Sequence, residues 1–173
     1  MSLSSKRALL VIDMLNDFIR PEGSMYCGID GERIIPFIIR KIKEFKAEGS
    51  PIFFICDSHK PDDSEFNYFP MHCVRGTEGA EIVDELRAFA EQIVLKTKYN
   101  AFFATCLADY LAKIEEVHVV GVCTNICVLY TVQELFNLGK RPVVYRYGTA
   151  SFDILAHEFA LQQMEDILGT TIK

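Results

Sequence analysis

The chain reads as a three-layer α/β domain around a mostly parallel central sheet of about five to six strands. Three observations carry that expectation. Short apolar runs alternate with longer segments of helical periodicity from one end of the sequence to the other. The short runs, RALLVI and IFFIC among them, are continuously apolar instead of alternating, as in strands covered on both faces. Several end directly on a charged or thiol residue, and in such sheets ligands gather at the C-terminal edges of the strands.

Arg7 to Ile12 is the first strand, with Asp13 at its C-terminal edge. A loop with Pro21, Gly23 and Gly28 follows, and IIPFIIRKIKEFKAEG then repeats apolar residues at helical spacing until Gly49. Ile52 to Cys56 is the second strand, followed at once by Asp57. The stretch from there through Gly79 is rich in Asp, Pro and Gly and holds two histidines, and a loop so long in a compact domain is usually functional. Ala80 to Ala88 reads as a short helix and Gln92 to Lys96 as the third strand. Thr105 suits the N-cap of a helix running through Ile114. Val117 to Val122 is the fourth strand, and helical periodicity resumes from about Asn125 to Leu138, with Gly139 as its stop. Pro142 to Tyr147 is the fifth strand, and Ile154 to Leu168 a last amphipathic helix closed by Gly169.

The fourth strand and its helix meet at Cys123, Thr124 and Asn125, a strand-to-helix elbow that puts Cys127 in the first helical turn. Unpaired N–H groups and the positive helix end there favour an anion. A thiol in that position is expected below its usual pKa of about 8.5, which makes Cys127 a candidate nucleophile. Two other readings stand beside it. Cys127 could be a small buried hydrophobe, and Cys123 with Cys127, four residues apart, could be a redox or metal pair.

With 173 residues, half of them hydrophobic, the chain suits a single domain over 1–173. A net charge of −6 argues against nucleic acid or an anionic membrane as the main partner. No apolar run approaches the roughly 20 residues that span a bilayer. The opening MSLSSKR is too short for a signal peptide, so a cytoplasmic protein is expected. Six cysteines in mostly apolar surroundings read as reduced thiols.

Four stretches carry a resemblance. VIDMLNDF looks like a "D-x-Q-N-D-F" segment, KTKYNAFF like "K-x-x-Y-S-A-F", and GVCTNICV like a "G-v-x-T-[DN]-x-C-V" elbow. The fourth, CDSH followed by FPMHCVRGT, looks like a metal-binding loop. Together, and in this order, they resemble the cysteine hydrolases of the isochorismatase-like superfamily, most closely the nicotinamidases (pyrazinamidases). The resemblance implies an isochorismatase-like, Rossmann-like fold. It also implies an acid, lysine and cysteine triad, which maps onto Asp13, Lys96 and Cys127, with Lys98 as the rival lysine. Asp13 would take the thiol proton and hand it to the leaving amine, while Lys96 would balance the developing charge. A cis peptide between Val122 and Cys123, and an oxyanion hole from the N–H groups of Cys123 and Cys127, are further implications.

The same resemblance assigns Asp57, His59 and His72 as metal ligands, with Glu65 as a fourth. Imidazole and carboxylate donors suit zinc first, with iron or manganese as alternatives. In nicotinamidases the metal receives the pyridine nitrogen of the substrate. Phe18, Phe69, Tyr99, Val122 and Cys123 match positions lining the ring pocket, and Asn16 is read as holding the first loop. Cys27, Cys56, Cys73 and Cys106 read as structural, His118 as packed and His157 as solvated. Leu15, Asn100 and Asn125 depart from the family's usual glutamine, serine and aspartate, and Ile126 stands where some nicotinamidases carry histidine. These departures bear on pocket polarity and leave the triad and metal set whole.

The expected activity is therefore a metal-dependent amidase acting on a small amide, nicotinamide first, in a protein that is commonly a homo-oligomer in its family. Another small-amide hydrolase of the superfamily is the near alternative. A non-catalytic metal-binding or redox module built on Cys123 and Cys127 is the alternative of a different class.

Overall fold

The computed structural model describes residues 6–173, so most of the MSLSSKR segment lies outside the described residues. Six strands, β1 (Arg7–Ile12), β2 (Ile52–Asp57), β3 (Ile93–Lys96), β4 (Glu116–Val122), β5 (Arg141–Ala150) and β6 (Thr171–Ile172), form one sheet in the order β3-β2-β1-β4-β5-β6. Every pairing is parallel. All six C-terminal ends therefore point the same way. The chain order reverses beside β1, so the ends of β1 and β4 flank the switch point where ligands bind in open sheets.

Alternate residues of β1 explain the three layers. Leu9 and Val11 pack on one face with Ile38, Ile42 and Phe45 of α3 (Ile35–Ala47). Ala8, Leu10 and Ile12 pack on the other. Their partners there are Val132 and Leu135 of α6 (Leu129–Asn137) and Leu161 and Met164 of α7 (Ile154–Asp166). Both faces of β1, β2 and β4 are thus buried, as their apolar runs predict. At the sheet edge β3 differs, because Ile93 and Leu95 are exposed while Val94 and Lys96 are buried.

Gly121 is the one glycine in β4 with a positive φ (114°), and a Cβ there would stand 2.0 Å from the carbonyl oxygen of Ile12. Its bareness lets β4 close on β1 while the β4–β5 register shifts between Val119 and Gly121.

Several elements differ from the sequence reading. The helix expected over 80–88 is broken into a 3₁₀ turn, Glu78–Ala80, and a short α4 (Asp84–Arg87). Between them Ile82 makes an antiparallel bridge with Leu15, and Val83 N–H donates to Met14 O, so these apolar residues pair instead of coiling. The helix expected from Thr105 to Ile114 shrinks to α5 (Leu107–Tyr110). Its tail tightens through Ala112 N–H to Asp109 O and Ile114 N–H to Leu111 O, both three-residue bonds. Two short helices in the first loop, α1 (Asn16–Ile19) and α2 (Gly28–Arg33), and the two-residue β6 had too little periodic sequence to be read.

Candidate active site

Four strand ends bring the chemistry together. Asp13 follows β1 with a φ of 50°, Asp57 closes β2, Lys96 closes β3, and Cys127 rises from the elbow after β4. All four are buried. The register makes Asp57 and Lys96 neighbours across the β2–β3 pair. Lys96 Nζ lies 2.5 Å from Asp57 Oδ1, 2.8 Å from Asp13 Oδ2 and 3.4 Å from Cys127 Sγ. Asp13 Oδ1 accepts from the Asp57 N–H at 2.9 Å. Asp13 Oδ2 makes its ion pair with Lys96 away from the ideal hydrogen-bond angle, which leaves it able to accept from the thiol beside it. Its carboxylate, that of Asp57 and Cys127 Sγ all fall within 4.8 Å of one another.

Electrostatics follow from two acids and one base sealed from water. Burial, reinforced by the charge of Asp57 and opposed by Lys96, raises Asp13 to about 6. Burial alone would strip the proton from Lys96, but Asp13 and Asp57 outweigh it and hold the ammonium charged well above its ordinary range. Burial also drives Cys127 well up, and the attraction of Lys96 does not offset this and the two carboxylates. The resting group is a thiol, contrary to the expectation of a depressed pKa.

The elbow itself also departs from a regular helix start. Cys127 sits in a π-helical turn, Thr124–Val128, ahead of α6, and not in the first turn of a regular helix. Ile126 and Val128 N–H both donate to Cys123 O, at 3.0 and 3.2 Å. The Val122–Cys123 peptide is cis, as the resemblance implies. Lys98 stays apart from the cluster, its partly exposed ammonium 3.5 Å from Asp63.

A second group of donors lies beside the first. One ligand atom each of Asp57, His59 and His72 falls within 4.8 Å of the others. His59 Nδ1 is 3.1 Å from Asp63 Oδ2, and His72 Nδ1 is 2.7 Å from Pro70 O. A neutral ring held this way carries its proton on Nδ1 and turns the lone pair of Nε2 inward, which is how metal-binding histidines are oriented. His59 Nε2 is buried without a hydrogen-bond partner, an orphan that a cation would satisfy. Glu65 joins through Oε1, 3.5 Å from His72 Nε2. Burial disfavours a charged His59, yet Asp57, Asp63 and Glu65 raise it to about 9, acidic surroundings that equally favour a bound cation. The donor set fits a zinc-like divalent ion.

Between the two groups is a nearly filled cavity of about 10 Å³. Phe18, Phe69, Tyr99, Cys123 and Cys127 reach its wall, and so do Met25 and Ile126. Val122, expected there, is fully buried in the core below the elbow and does not reach the wall. It packs in the same apolar cluster as Phe18, Phe69 and Cys123, behind the wall they form. Wider grooves, one of about 620 Å³ between α2, α3 and α7, lie away from the triad.

Some contributors were not read from the sequence. Asp63 orients His59 and caps the 3₁₀ turn Ser64–Asn67 by accepting from Glu65 N–H. Its spacing of four from His59 was the available signal. Phe66 packs edge-on against both imidazoles at 5.5 Å. Asp17 Oδ2 accepts from Cys73 N–H at 2.7 Å and anchors the chain next to His72. Asn16 does hold the first loop, donating to Glu78 O at 2.9 Å. His118 is packed, as expected, whereas His157 is buried and not solvated.

Comparison with known proteins agrees with this geometry. The isochorismatase domain model matches residues 7–173. The isochorismatase family protein PncA of Bacillus subtilis is 35% identical over 180 residues, covering 96% of this chain and 98% of that one. A crystal structure of nicotinamidase PncA from Bacillus subtilis superposes with a TM-score of 0.92 at 34% identity, over 96% of this chain and 98% of that one. The pyrazinamidase of Pyrococcus horikoshii, in complex with zinc, superposes with a TM-score of 0.88 at 30% identity, over 97% and 98%. A match across nearly the whole chain, on a six-stranded parallel sheet, makes this protein a member of the isochorismatase family of hydrolases, to which the nicotinamidases also belong.

Proposed function

We propose that the protein is a metal-dependent cysteine amidase that converts nicotinamide to nicotinate and ammonia. The observation that carries this reading is the buried contact of Lys96 with both Asp13 and Cys127, beside an imidazole and carboxylate cluster. Asp57, His59 and His72, with Glu65, would hold the ion, which when bound supplies a Lewis-acid seat for the pyridine nitrogen.

The chain's own groups account for the bond changes. As Cys127 Sγ forms its bond to the amide carbon, its proton passes to Asp13, whose open Oδ2 and raised pKa of about 6 suit a base near neutrality. Asp13 then protonates the amide nitrogen, the C–N bond breaks, and ammonia leaves a thioester on Cys127. Water gives a proton to Asp13 as it attacks the thioester carbon. Breaking the C–S bond releases the carboxylic acid, which loses its own proton to solvent, and Asp13 returns the proton it holds to sulfur. Lys96 keeps one positive charge against the anionic partners throughout. Backbone N–H groups of Cys123 and Cys127 would receive the oxyanion.

Purified, metal-loaded protein should release ammonia from nicotinamide and pyrazinamide, lose that activity on chelation, and lose it fully in Cys127→Ala with fold and metal intact. Retained turnover in Cys127→Ala would rule out the thioester route. Ile126 on the cavity wall, where some nicotinamidases carry histidine, supports a second reading, another small amide as substrate, and release from an aliphatic amide alone would select it. We also infer a single-domain, cytoplasmic homo-oligomer. Exposed Phe152, Leu155 and Phe159 near the start of α7 support association, and sedimentation of the native protein as a monomer would exclude it.

A further inference from the structure

We infer that Thr124 and His157 form a clamp that positions the catalytic elbow, which makes His157 a positioning residue for chemistry at Cys127; this rests on the amidase reading above. Thr124 lies between Cys123 and Cys127, the residues whose N–H groups would receive the oxyanion, and it is fully buried. Its hydroxyl is 2.7 Å from His157 Nδ1, a contact spanning 33 residues of sequence.

The imidazole stands on a fixed base. Asp153 caps α7, its Oδ1 accepting from Leu155 N–H at 2.9 Å and Ala156 N–H at 3.0 Å. The carbonyl of Asp153 accepts the N–H of His157 itself at 2.9 Å. A second tie runs alongside, because Ser151 Oγ donates to Asn125 Oδ1 at 2.6 Å. Successive residues of the elbow are therefore held from the β5–α7 segment, opposite the flank where Lys96 meets Cys127. Burial keeps His157 below its ordinary pKa, with Glu158 pulling the other way and Arg146 assisting. The neutral ring offers the hydroxyl one defined partner. Losing it would leave a buried hydroxyl unpaired and free the turn to shift.

Removing the hydroxyl isosterically, in Thr124→Val, should lower kcat for nicotinamide about 10- to 100-fold, with KM changed less than about 3-fold, because misplacement by an ångström costs rate more than binding. Thr124→Ser, which keeps the hydroxyl, should stay within about 3-fold of native. His157→Asn keeps a polar atom where Nδ1 stands, while His157→Gln moves it toward the Nε2 position. The first should retain most of the rate and the second lose it, and equal rates in the two would overturn the clamp even if Thr124→Val does not fold. Native kcat in folded Thr124→Val would also overturn it. If native protein releases no ammonia from any amide, the amidase reading fails separately. Alkylation of Cys127 by iodoacetamide, followed by peptide mass spectrometry, then tests the clamp. A rate about 10-fold lower in Thr124→Val than in native and Thr124→Ser supports it, and equal rates overturn it.

Discussion

Lys96 Nζ stands 3.4 Å from Cys127 Sγ, and it reaches the sulfur from between two carboxylates. One buried cation thus serves two anions at a time, Asp57 throughout and either Asp13 or the Cys127 sulfur, whichever does not hold the proton. That arrangement keeps the nucleophile protonated at rest and lowers the cost of its anion only along the reaction. Storage of a thiolate is not required.

Lys96→Met tests how much the fold depends on that cation. Its removal leaves Asp13 and Asp57 as uncompensated acids in the core, and breaking a buried pair in this way costs about 3–5 kcal/mol. We predict a loss of that size in urea unfolding of metal-free protein, together with abolished turnover. A stability within about 1 kcal/mol of native would mean that water or rearrangement already screens the acids.

Asp13→Asn should separate activation from reactivity. The Asp13 charge raises the Cys127 pKa, so its removal favours the thiolate beside Lys96. Turnover should fall about 10²- to 10⁴-fold for want of a proton carrier. Alkylation of Cys127 at pH 7 should nevertheless become faster. Slower alkylation, with slower turnover, would show that Asp13 is needed to take the proton even when no proton is returned.

Asp63→Asn probes the donor cluster from outside it. Asp63 Oδ2 fixes the His59 ring through Nδ1, and loss of such an outer partner weakens metal affinity about 10- to 100-fold. His59→Ala and His72→Ala should lose stoichiometric metal altogether, measured by elemental analysis. Metal retained in both histidine variants but lost in Cys123→Ala with Cys127→Ala would favour the alternative of a cysteine-held ion.

What the sequence made legible was the material repeated along it. Continuous apolar runs identified five strands, and because the sheet is parallel their C-terminal residues Asp13, Asp57 and Lys96 had to converge on one edge. Local signals failed where tertiary pairing won. Ile82 and Val83 look helical in sequence but are drawn into pairing with Leu15 and Met14. His157 sits on an amphipathic helix and looks solvated, until Thr124, distant in sequence, is brought to it. The depressed pKa expected for Cys127 failed for a related reason. A helix terminus is local, but the burial that outweighs it comes from the packed fold, and the two carboxylates that add to it arrive from other strands.

His118 links stability to pH away from the site. Its Nδ1 is 2.8 Å from the Tyr145 hydroxyl and its Nε2 is 2.7 Å from Glu116 Oε1. Phe45 covers the ring, and Arg7 and Lys173 add positive charge nearby. Burial, with those cations, holds its pKa below the ordinary value of 6.5 despite Glu116. The unfolded chain therefore binds the proton first as pH falls, and stability declines from about pH 6.5 downward until the folded histidine also titrates. His157 adds a slope of the same sign, whereas His59, raised to about 9, adds one of opposite sign at higher pH. The difference between native protein and His118→Gln isolates His118 from both. Urea unfolding between pH 7.5 and about 5 should show native stability falling more steeply than that of His118→Gln. Parallel curves would mean that His118 titrates alike in the folded and unfolded chains, and a native curve shallower than that of His118→Gln would mean that Glu116 holds the folded ring protonated.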